Sequence, residues 1–163
     1  MNQQRTTGCA FRQHVVQALC LLGCTLTLGA ALASEEIKRP AVDTSGLPAL
    51  AAGWAEVNPL RGNALAIDIG REAFNQTCAR CHGENANGSR SPAPDLRRIG
   101  STCLRIQDAA LKQRCQSDAD HFFITSVRFG KQKFGIVHMP PWDTVLEPTL
   151  IWSLRTYVEN APR

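Results

Sequence analysis

An all-α fold is the class this sequence predicts, and two observations predict it. Two segments repeat apolar residues at helical spacing, one over residues 64–81 and one that begins at Pro148. No segment alternates apolar and polar residues as a half-buried strand would, and no internal repeat or low-complexity tract is present.

The elements follow in chain order. Residues 1–33 read as an export signal. Arg5 and Arg12 give a positive start, an apolar stretch runs from Val15 to Leu32, and Ala31-Leu32-Ala33 forms a small-residue cleavage site. A transmembrane anchor is the rival reading, opposed by His14 and Gln17 in the apolar stretch; lipid attachment at Cys24 is a second. Residues 34–63 are rich in Pro, Gly and Ala and read as an extended N-terminal arm, with Trp54 and Leu60 able to pin it to a core. The domain proper is expected over 64–163.

Asn63 is placed to cap the first helix, whose face carries Ile67, Gly70, Phe74, Cys78 and Cys81. Gly70 costs up to about 1 kcal/mol inside a helix, and close approach of a second helix would be its reason. Residues 83–102 are loop-like. A short polar helix is expected from about Gln107 to Arg114. Ser117-Asp118-Ala119-Asp120 resembles a cap before a separate helix from His121 to Phe129, stopped by Gly130. Lys131 to Pro141 reads as an irregular loop. Pro148 suits the first turn of a last helix, with Leu150, Ile151, Leu154, Tyr157 and Val158 on its face.

Length and charge narrow the function. At 163 residues the chain is one domain with accessory segments. It carries 18 Lys and Arg against 14 Asp and Glu, two of the basic residues lying in the export segment. No basic stripe appears, which excludes a nucleic-acid binder. No stable membrane insertion is expected once the signal is removed. Of seven cysteines, Cys78, Cys81, Cys103 and Cys115 remain after residue 33.

Cys78-Ala79-Arg80-Cys81-His82 admits three chemistries. A structural zinc site needs four ligands, which Cys103 and Cys115 could complete at an unusual spacing. A redox dithiol of the thioredoxin type needs strands around it. Covalent haem attachment uses the two sulfurs on two vinyl groups of one porphyrin and brings the adjacent histidine beneath the iron. An electron-transfer haem wants a sixth ligand. Met139 is the single methionine after the initiator, held between His138 and the stiff pair Pro140-Pro141. His121 and His138 are its rivals.

With "CARCHG", "APDL" and "HMPPW" in hand, residues 64–160 resemble the class I cytochromes c. The resemblance implies that the first and last helices cross around one covalent haem, close to Gly70. It implies iron ligands His82 and Met139, thioethers at Cys78 and Cys81, a Pro94 carbonyl that accepts the Nδ1–H of His82, and a haem-packing Leu96. Arg97, Arg98, Arg128 and Trp142 are candidates for the haem propionates. Lys131 and Lys133 could flank an exposed haem edge and steer an acidic partner. With Cys78 and Cys81 used, Cys103 and Cys115 have only each other, and a disulfide between them is expected.

The stapled loop, the arm "EVNPLRG" and the "HMPPW" loop resemble a narrower group, the periplasmic cytochromes c that accept electrons from PQQ-dependent alcohol dehydrogenases. This implies a one-electron carrier between such a dehydrogenase and a downstream cytochrome or terminal oxidase. A haem enzyme or sensor with a displaceable sixth ligand is the alternative.

Overall fold

The computed structural model describes residues 37–163 except 52, 91 and 92. The export signal, Cys24 and the first three residues of the arm lie outside the described residues. Among the described residues no helix is long and apolar enough to cross a membrane.

The order is α1 (Ala64–Thr77), α2 (Ala79–His82), 3-10 turns at Leu96–Arg98 and Ser101–Arg105, α3 (Ala109–Phe129), β1 (Lys131–Lys133), β2 (Ile136–Met139) and α4 (Pro148–Asn160). Asn63 caps α1, its side chain accepting from the Ala66 N–H at 3.0 Å. The expected single helix over 64–81 breaks at Cys78. Thr77 turns its hydroxyl back onto the Ala73 carbonyl at 2.7 Å, a bond that bends helices. The buried stripe of α1 is Ala66, Ile69, Gly70, Ala73 and Phe74, so the expected face is rotated: Ile67 and Cys78 are half-buried and Cys81 is exposed.

α1 and α4 cross at Gly70. A Cβ built there would stand 2.1 Å from the Ser153 carbonyl oxygen and 2.9 Å from Tyr157 Cβ. Only a residue without a side chain permits this approach. The Phe74 and Tyr157 rings then pack with centroids 5.2 Å apart. The expected crossing is present, and it answers the cost of the glycine.

α4 is buried all round from Leu150 to Val158, not on one face alone. The arm covers its far side. The Trp54 and Trp152 rings are 6.3 Å apart, Leu60 is buried, and Asn58 Nδ2 donates to Thr156 Oγ1 at 2.9 Å.

Two further expectations are corrected. The helices at 107–114 and 121–129 are one helix, α3, capped by Asp108, whose side chain accepts from Leu111 N–H at 2.8 Å. Asp120 is no cap. It is fully buried and accepts from Asn58 N–H at 2.8 Å, from Arg61 at 2.7 and 2.8 Å and from Arg155 Nε at 2.8 Å. Tertiary partners hold it within the helix. The supposed irregular loop at 131–141 is in part an antiparallel hairpin, with Lys133 paired to Ile136 and Gln132 to Val137. Its turn, Phe134-Gly135, has positive φ at both residues, the requirement of a type I′ turn. Every side chain from Lys131 to His138 is exposed, so no buried face imposes the alternation by which a strand is read.

Candidate functional site

The site begins where α1 ends. Cys78 donates its backbone N–H to Phe74 O at 2.8 Å, and His82 N–H returns to Cys78 O at 2.9 Å. One helical turn therefore carries both thiols and the imidazole. Cys78 and Cys81 are free cysteines. Burial pushes the Cys78 thiol up to about 11, against the Thr77 hydroxyl at 3.3 Å, which acts the other way.

His82 Nδ1 lies 3.1 Å from the Pro94 carbonyl oxygen. A carbonyl only accepts, so Nδ1 is the donor, and in the neutral ring the lone pair is left on Nε2. The loop that presents Pro94 is tied down on both sides. Gly88 N–H donates to His82 O at 2.8 Å and Leu96 N–H to Ala86 O at 2.8 Å. Asp95 caps the following 3-10 turn and binds Arg97 through both carboxylate oxygens, each at 2.9 Å. Arg97 holds the Asp95 carboxyl below its usual range. Leu96 is half-buried against the core.

Met139 ends β2, half-buried against the core. Gly130 makes its position possible: a Cβ there would meet Met139 O at 2.3 Å and Pro140 C at 2.8 Å. The segment is anchored to α3 at both ends. Gly130 N–H donates to Ser126 O at 3.0 Å, and Trp142 N–H to Val127 O at 3.0 Å. His121 and His138 are exposed.

The arginine partners were missed at the sequence level. Arg97 bonds Asp95 and the Pro162 carbonyl; Arg128 bonds Asp143 and stacks 4.4 Å from the Trp54 ring centroid. Asp95 stands two residues from Arg97 and could have been suspected. Asp143 and Trp54 offered no local signal. Arg98 is exposed, and Trp142 is buried in the core.

Cys103 and Cys115 are joined in a disulfide with Cα atoms 5.6 Å apart, which ties the second 3-10 turn to α3. This removes the zinc reading. Among the described residues, no group of three or more His, Cys, Asp or Glu could hold a metal ion. Two free thiols on one turn, beside an imidazole that keeps Nε2 as its lone-pair nitrogen, fit a covalently held iron porphyrin instead.

A mostly helical domain with this turn and its crossed first and last helices is a c-type cytochrome. Residues 65–158 match the protein family described as "Cytochrome C oxidase, cbb3-type, subunit III". The chain is also 32% identical over 153 residues to "Cytochrome c550" of Pseudomonas aeruginosa, covering 91% of this chain and 95% of that relative. No solved structure gives a significant match. The chain belongs to this family of cytochrome c domains. It is an electron carrier rather than an enzyme, and its cofactor is covalently bound haem c.

Proposed function

We propose that Cys78 and Cys81 carry the thioethers of one haem and that His82 Nε2 and Met139 Sδ are its axial ligands. The observation that carries this is the bond from His82 Nδ1 to Pro94 O, which fixes the ring and raises the basicity of Nε2. When bound, the haem supplies one-electron cycling between Fe(II) and Fe(III). The protein's part is to hold both ligands still. Pro140 and Pro141 stiffen the chain behind Met139, and a thioether ligand favours the reduced state. Leu96 and Trp142 exclude water from the pocket. Arg97 and Arg128 offer the propionates the N–H donors that their carboxylate partners leave over.

The proposed carrier works in the periplasm, takes electrons from a PQQ-dependent alcohol dehydrogenase and passes them to a downstream cytochrome or terminal oxidase. The export-like residues 1–33 and the Cys103–Cys115 disulfide support an oxidising compartment. The stapled loop and the "EVNPLRG" arm support the donor. Met139→Ala tests the ligand set: the ferric protein should lose its long-wavelength sulfur-ligand band and its potential should fall. An unchanged spectrum would assign the sixth position elsewhere. For the donor, ethanol-reduced quinoprotein dehydrogenase should reduce the holo-cytochrome directly, and no reduction would exclude it.

A further inference from the structure

Met139 lies on a strap, residues 130–147, that leaves α3 and returns to α4. Gly130 N–H on Ser126 O fixes its start. Behind the methionine, Pro140 and Pro141 have no N–H to donate. The first backbone bonds back to α3 on that side are Trp142 N–H to Val127 O at 3.0 Å and Asp143 N–H to Arg128 O at 3.2 Å. These two residues therefore set where the C-terminal side of the strap sits.

Arg128 holds Asp143 a second time through its guanidinium. Nε–H donates to Asp143 Oδ1 at 2.5 Å and Nη2 to Oδ2 at 3.5 Å. The two side chains are 24% and 38% exposed, and a pair that open to water contributes little unless its geometry is fixed. Trp54 of the arm supplies the fixing surface, its ring centroid 4.4 Å from Arg128 Cζ. Trp54 is itself seated against Trp152 of α4, the centroids 6.3 Å apart. The Phe129 ring also lies 4.7 Å from the guanidinium, but it belongs to α3 and ties nothing to the arm. At the far end of the strap Arg39 pairs with Glu147, and Thr44 Oγ1 donates to it at 3.5 Å. Arg39 is exposed, so that pair is weak, which leaves Trp54 as the arm's main hold on the strap.

We propose that Trp54 is a positioning residue for the sixth ligand: stacked on Arg128, it holds Asp143 and so keeps the strap closed with Met139 against the iron. The proposal rests on Met139 as iron ligand. It gives the arm a task at the redox centre besides covering α4. An arm that only covers the core would, when Trp54 is cut back, weaken the whole fold without favouring release of the strap.

The test uses the ferric holo-cytochrome and imidazole, which reaches the iron only as Met139 Sδ leaves it. Trp54→Leu should speed imidazole entry about tenfold, the scale of a partly desolvated cation–aromatic contact. Trp54→Phe returns an aromatic face and should restore most of the parent rate. Asp143→Asn should also speed entry, and the double variant should be no faster than the faster single one, because both act through one guanidinium. Asp108→Ala weakens the fold at the distant cap of α3 and should leave the entry rate unchanged. A parent rate in Trp54→Leu would overturn the proposal. So would singles whose effects multiply in the double variant, or an equal acceleration in Asp108→Ala, which would mark general loosening. A ferric spectrum unchanged by Met139→Ala would instead fail the ligand reading. Hydrogen exchange then still decides whether Trp54 holds the strap: Trp54→Leu should speed exchange of the Trp142 and Asp143 amides and spare those of α1, and unchanged exchange would overturn the hold.

Discussion

Gly70 shows how much one missing side chain decides. Its Cα approaches the Ser153 backbone so closely that Gly70→Ala must push α1 and α4 apart. The expected loss is about 1–3 kcal/mol, as for other overpacked cores, read from urea denaturation of the holoprotein. Asp95 yields a prediction with a definite sign. Its carboxyl is held low chiefly by the side-chain hydrogen bond from Arg97. Its contribution is therefore present above the ordinary aspartate range and lost as pH falls through the lowered value. Thermal melts of Asp95→Asn should lose part of the acid-side slope seen in the parent. At this scale the sequence was most readable where chemistry is local. Cys78, Cys81 and His82 announce themselves within five positions. The partners of Arg128 did not, because a carboxylate fifteen residues away meets an arginine only once the chain has folded.

Among the elements, α3 and the hairpin were misread for opposite reasons. Asp120 looks like a cap because a lone aspartate inside a helix competes with the backbone. Arg61, Arg155 and the Asn58 N–H satisfy it instead, and none of them is near in sequence. The hairpin escaped notice because every side chain from Lys131 to His138 is exposed, so no alternation marks its strands. α4 was placed by Pro148 and its apolar face, yet part of its burial comes from an arm that gave no periodic signal. Two outcomes follow for α3. Replacing Cys103 and Cys115 with serine should cost about 3 kcal/mol on the chain-entropy account of loop closure, measured as a shift in the denaturation midpoint at constant slope. Asp108→Ala removes the cap and should cost about 1 kcal/mol.

The molecule as a whole is held by a charged clamp that joins its three main parts. Asp120 of α3 binds Arg61 of the arm and Arg155 of α4, and Glu159 of α4 closes the network on both arginines. Arg155 and Asp120 are fully buried, so removing one partner leaves an uncompensated charge. Asp120→Ala should therefore destabilise by about 3–5 kcal/mol, several times the loss of a surface pair such as Arg71–Asp68. The clamp makes the arm part of the frame that carries the Cys78–His82 turn, the proposed haem attachment. Mass analysis of peptides from the denatured holoprotein addresses the Cys78–His82 turn most directly. The peptide spanning Cys78 to His82 should carry the mass of one haem, and replacing both cysteines with alanine should abolish it. Haem found on the Cys103 or Cys115 peptide, or a pigment that washes free on denaturation, would contradict the account.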